Sequence, residues 1–168
     1  MDPVTTSVNI DKPREEVFEY LADIANHPEF MGDLFRDWRM LRVDTYGRGA
    51  GARFRSTARM DRFGWGELNF LELQRPHKIV MVGRGGKYNR IKTYGEWRLD
   101  EQGSRATRVT LSFETEPPLV TDRLMEGLSG RRAWFKRGSR RSLKRLRAIL
   151  EEGPASRHRG QRATVAGL

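Results

Sequence analysis

The spacing of apolar residues changes twice along the chain, and each change marks a new kind of element. Residues 4–10 alternate weakly through Thr6, Val8 and Ile10, which predicts a strand. Asp11-Lys12-Pro13 reads as a helix start, with Glu15 and Glu16 near the positive end of the helix dipole. Val17, Phe18, Leu21, Ile24 and Ala25 then recur at helical spacing. Asn26-His27-Pro28 predicts a break, and 29–36 a short second helical turn weakened by Gly32. From Asp37 onward the period is two. It predicts strands over 38–46, 52–60, 65–74, 78–84, 90–99 and 105–116, joined by glycine- or proline-bearing turns. Strands at hairpin spacing form an antiparallel meander.

After Pro117-Pro118 the period returns to 3.6. Leu124, Met125, Leu128, Phe135, Leu143, Leu146, Ile149 and Leu150 fall within one stripe roughly 120° wide on a helical wheel. One helix over 119–152 is predicted, roughly 50 Å long, with Thr121 or Asp122 as its cap and an irregular turn near Gly127 and Gly130. A rod with one apolar stripe needs a surface, and the meander supplies it.

Strand alternation also predicts which side chains face that rod. Arg53 and Arg55 go out, so Phe54, Ser56, Ala58 and Met60 go in. Glu72 goes out, so Leu71 and Leu73 go in. Without a bulge, the same parity turns Trp65, Glu67 and Asn69 inward. Ile79, Met81 and Gly83, then Ile91, Thr93, Gly95, Trp97 and Leu99, then Val109, Leu111 and Phe113 complete the inner set. On the helix, Arg131, Arg132, Ser139 and Ser142 lie within the stripe or at its margin, and Trp134 lies off it.

Composition narrows the function classes. The chain has 168 residues, no cysteine and a net charge of +10. A single domain over 1–152 with a flexible basic tail over 153–168 is expected. Without cysteine there is no disulfide framework and no thiolate nucleophile or metal site. His27, His77 and His158 are dispersed, so no metal and no cofactor is expected. No run is long and apolar enough for a membrane span and no signal peptide is legible, so a cytoplasmic protein is expected. Residues 1–130 carry 20 basic and 20 acidic side chains, while 131–168 carry 12 basic ones against Glu151 and Glu152. That excess is either a solvated face or a surface for nucleic acid, a ribosome or an acidic membrane through residues 131–162. Self-association as a homodimer stays open.

The order β-α-α-β6-α resembles the helix-grip fold of the START/Bet v 1-like (SRPBCC) superfamily, polyketide cyclase/dehydrase-like group. The resemblance rests on residues 8–23 (VNIDKPREEVFEYLAD), on Asn26-His27-Pro28-Glu29-Phe30, on Gly49-Ala50-Gly51-Ala52-Arg53-Phe54 and on residues 71–79 (LELQRPHKI). It covers 4–152. It implies an α+β fold with a curved antiparallel sheet of about seven strands around a C-terminal helix. It also implies a cavity for a small hydrophobic molecule such as a lipid, polyketide, quinone or similar aromatic. The superfamily has no shared catalytic motif, so carrier and cofactorless cyclase/dehydratase both remain open.

The candidate ligand contacts are Phe54, Ser56, Met60, Glu67, Asn69, Leu71, Met81, Thr93, Trp97, Leu111, Phe113, Leu124, Leu128, Arg132 and Phe135. If the protein is an enzyme, Glu67 inside an apolar cavity would be a general acid or base, with Asn69 and Arg132 stabilising an enolate. If Glu67 sits at a strand end it is simply solvated. Arg132 either anchors an anion or snorkels past the stripe edge.

Overall fold

In the computed structural model, β1 (Val4–Ile10) pairs antiparallel with β7 (Thr107–Glu116) and opens a seven-stranded sheet. The structure describes residues 2–58, 64–103, 105–121, 124 and 130–152, and statements below concern these. The remaining strands are β2 (Phe35–Met40), β3 (Gly51–Ser56), β4 (Trp65–Gln74), β5 (Lys78–Gly85) and β6 (Ile91–Glu101). Spatial order is β1-β7-β6-β5-β4-β3-β2, a meander closed at one side by the first strand, as the hairpin spacing predicts. The second strand differs from its expected range. It starts at Phe35, carries a register shift between Arg36 and Arg39, and ends at Met40. Asp37 takes φ 54° in that irregularity.

Between β1 and β2 lie α1 (Arg14–Ala22), a 3-10 turn (Ile24–Asn26) and α2 (His27–Met31). Pro28 does not break the chain here. It occupies the first turn of α2, where a missing N–H costs nothing, so the second helix comes earlier than its expected 29–36. Asp23 caps the 3-10 turn by accepting from the Ala25 N–H at 3.0 Å. Val17, Phe18, Leu21 and Ala22 bury one face of α1 against the closed end of the sheet.

The last helix, α3 (Arg131–Glu152), lies along β1 and against α2. Arg132 reaches Asp2 at 3.4 Å and Glu151 accepts from the Asp11 N–H at 2.9 Å, so α3 runs in the same direction as β1. Its buried face is Phe135, Gly138, Ser139, Ser142, Leu143 and Leu146, an i, i+3, i+4 stripe. The expected single rod over 119–152 is interrupted. Val120, Thr121 and Leu124 are helical, and Gly130, immediately before α3, takes a left-handed φ of 66°. Leu124 is 63% exposed, so the stripe does not extend through it. Met125, Leu128, Met60 and the tail over 153–168 lie outside the described residues, as does Asp122 of the expected cap.

Inner-face parity holds on β3, β5, β6 and β7, where Phe54, Ile79, Met81, Trp97, Leu99, Val109 and Leu111 are buried. It fails on β4. A register shift between Phe70 and Glu72 inserts one residue, so Leu68 and Phe70 face in and Leu71 faces out. Trp65, Glu67 and Asn69, expected inside, therefore alternate onto the outer face.

Candidate functional site

The half-barrel is plugged at one end and open at the other. At the plugged end His27 is buried among Phe30, Trp38, Phe70 and Trp97, with ring centroids 5.3 to 6.4 Å from its own. Its Nε2–H donates to the Leu21 carbonyl at 3.0 Å. Burial holds the imidazole pKa down at about 4, against the hydrogen bond to Leu21 and the nearby Asp23, which both raise it. A neutral, fully packed histidine of this kind supports the core. Its chain position in a suspected helix break gave no hint of that role.

At the open end a cavity lies between the concave sheet face and the first turns of α3. The concave space, open solvent at its mouth included, amounts to about 650 Å³. Phe35, Phe54, Phe113, Trp134 and Phe135 give it aromatic walls, and Ser56, Thr93 and Thr115 place hydroxyls among them. Phe113 and Phe135 stack at 4.5 Å, fixing the sheet against the helix. Phe35 and Phe54 meet at 4.3 Å on the opposite wall. The stretch 64–68 at the start of β4 and Arg84, Gly85 and Gly86 at the end of β5 form the rim, and Arg131 reaches in from α3. The cavity is thus concave, apolar and dotted with a few polar groups, the usual make-up of a small-molecule site.

Five of the expected contacts meet here: Phe54, Ser56, Thr93, Phe113 and Phe135. Met81, Trp97 and Leu111 are inward but lie deeper, as fully packed core. Glu67 belongs to the β4 stretch at the rim, yet its side chain alternates outward opposite Arg53 and Arg84, because Leu68 takes the inner position. Asn69 and Leu71 are on the outer face for the same reason. Arg132 is exposed and pairs with Asp2, so the cation that α3 brings to the cavity is Arg131, beside Arg84 of the rim. Trp134, placed off the stripe by the wheel, is a wall residue. Arg131, Trp134, Phe135 and Gly138 follow i, i+3, i+4, i+7 spacing and share one side of α3, and the cavity lies along the first turn of that side. No group of three or more potential metal ligands occurs among the described residues.

Comparisons with solved structures show the same fold at low identity. KanY aligns with a TM-score of 0.69 at 15% identity, covering 91% of this chain and 100% of that one. Truncated norcoclaurine synthase from Thalictrum flavum aligns at 0.65 and 12% identity, covering 90% and 94%. TTHA0849 from Thermus thermophilus aligns at 0.64 and 16%, covering 86% and 94%. The norcoclaurine synthase has also been solved in complex with dopamine and hydroxybenzaldehyde. No curated protein matches the sequence significantly. The family described as polyketide cyclase / dehydrase and lipid transport matches residues 1–151. With the helix-grip architecture and the aromatic-walled cavity already in view, that match shows that the chain belongs to this family, within the START/Bet v 1-like superfamily.

Proposed function

We propose that the protein binds a small ring compound in the open end of the half-barrel, as a carrier or sequestering protein, with the ring between the Phe54 and Phe135 walls and any acidic group toward Arg131. The aromatic cavity carries this reading. Flat aromatic walls suit a planar ligand, and a guanidinium at the mouth suits a carboxylate or phenolate. Two single-ring aromatics in the norcoclaurine synthase complex agree with such a ligand, though at 12% identity that likeness concerns the fold.

Binding without turnover is the better reading of the residues. The three groups nominated for proton transfer and enolate stabilisation, Glu67, Asn69 and Arg132, do not converge in the cavity. The hydroxyls that do line it, Ser56, Thr93 and Thr115, can orient a ligand but are weak proton shuttles at neutral pH.

Native mass spectrometry of freshly purified protein tests this. A co-purifying aromatic or lipid-like molecule, displaced by added naphthoate, is the expected result. Repeated preparations with no bound molecule and no uptake of naphthoate or naphthol overturn it. Conversion of a bound molecule during incubation overturns the carrier assignment and restores the enzyme.

A further inference from the structure

The even charge balance over residues 1–130 conceals a segregation in space. On the outer face of the sheet, opposite the pocket, two cross-strand rows are basic. One runs Arg36, Arg55, Trp65 across β2, β3 and β4. The next runs Arg39, Arg53, Glu67, Arg84, Lys92 from β2 to β6. Arg36 opposite Arg55, Arg39 opposite Arg53, and Arg84 opposite Lys92 are three like-charge pairs directly facing one another. All six side chains are exposed.

Like charges placed opposite each other destabilise a sheet. Nearby acids offset this only in part: Asp37 is 3.9 Å from Arg55, Glu116 is 3.7 Å from Lys92, and Glu67 stands between Arg53 and Arg84. Protection of a sheet edge would explain basic residues on β2. It does not explain Arg53, Arg55 and Arg84, which lie on interior strands.

One aromatic ring organises the group. The guanidinium carbons of Arg53, Arg39 and Arg55 lie 5.0, 5.4 and 5.7 Å from the Trp65 ring centroid. Three guanidinium groups gathered around one half-buried indole form a platform with fixed positive charge. Rows about 7 Å apart along the strands repeat that charge in two directions.

We propose that this outer face binds single-stranded nucleic acid. The arginines of the rows, Arg53 and Arg55 included, pair with phosphates, and bases stack on the Trp65 platform. Tyr94, one row further and 37% exposed, adds a ring for stacking. An anionic bilayer fits less well. Leu41 and Leu71, with β3 between them, are the large aliphatic side chains prominently exposed on this face among the described residues, so little is available to insert. The surface is distinct from the basic side of α3, which lies on the other side of the molecule.

Fluorescence anisotropy of the full chain with a short, mixed-sequence single-stranded RNA tests the proposal over a range of salt concentrations. Affinity is expected to fall steeply with salt. Arg53→Gln/Arg55→Gln is expected to weaken binding about tenfold or more and to reduce the salt slope by about 1.4, the value for two lost contacts on a single strand. Trp65→Leu is expected to weaken it as well, while Lys136→Gln/Arg137→Gln/Arg140→Gln on α3 keeps most of the affinity. The thermal midpoint without RNA should be unchanged or higher in Arg53→Gln/Arg55→Gln, because repulsion is relieved. That result separates lost binding from lost folding. Unchanged RNA affinity in the folded Arg53→Gln/Arg55→Gln variant overturns the proposal, and so does retention on phosphatidylserine vesicles with no RNA binding.

Discussion

His27 donates its Nε2 proton to the carbonyl of Leu21 at 3.0 Å from inside a shell of four aromatic rings. The bond joins α2 to α1 and closes the plugged end of the half-barrel. Its cost appears in acid. The folded imidazole has a pKa of about 4 and the unfolded one about 6.5. Between those values the unfolded chain binds the extra proton, so stability is full above pH 6.5 and falls as the pH drops toward 4. The contribution lost is about 3 kcal/mol. Urea unfolding of the wild type and of His27→Gln between about pH 7.5 and 4 should show it. The glutamine can keep a donor for Leu21 and should remove most of the wild type's extra acid sensitivity. Parallel curves for the two proteins would show that His27 does not titrate this way.

Leu71 and Phe70 should behave oppositely although both are large and apolar. Leu71→Lys is expected to change unfolding free energy by less than about 0.5 kcal/mol, because the bulge puts the side chain in solvent. Phe70→Ala is expected to cost about 3–5 kcal/mol. A large loss in Leu71→Lys would place the register shift elsewhere.

Gly138 is a close-approach glycine. A Cβ there would collide with the Leu34 side chain, which is itself fully buried in the turn after α2. Helix propensity alone favours Gly138→Ala by about 1 kcal/mol. The clash should reverse the sign, giving a net loss of about 1–3 kcal/mol in urea unfolding. In Leu34→Ala the same substitution should cost clearly less, since the space is then free.

At the pocket, Trp134→Ala should weaken naphthoate binding about tenfold by removing one wall. Arg131→Gln should weaken naphthoate about tenfold and naphthol about twofold or less. Titration calorimetry on the two ligands reads the difference. Equal losses for both would mean that Arg131 shapes the mouth without meeting an anion.

These sites also show where the sequence was readable. Alternation identified the inner faces of β3, β5, β6 and β7, because each has one buried face and no inserted residue. On β4 the apolar run Phe70-Leu71 is compatible with either parity, and only pairing with β5 decides between them. That single slip moved Glu67, Asn69 and Leu71 to the wrong side. The helical wheel failed differently. Left-handed Gly130 separates Leu124 from α3, so Leu124 does not share its stripe. Within α3 the wheel puts Arg132 nearer the stripe centre than Arg131 or Trp134, but the cavity lies along one side of the stripe, where Arg131 and Trp134 are. The charge rows on the outer face were invisible because their members come from separate strands and meet only across them.

Arg84 belongs both to the outer basic rows and to the pocket rim, and Arg131 both to the rim and to the basic helix. The two positive surfaces therefore converge at the cavity mouth. Their combined field would draw an anionic ligand toward the opening before any wall contact is made. Capture should be fast at low ionic strength and slow as salt rises, while escape depends mainly on the aromatic walls. Stopped-flow association of naphthoate over a salt series would separate these two rates.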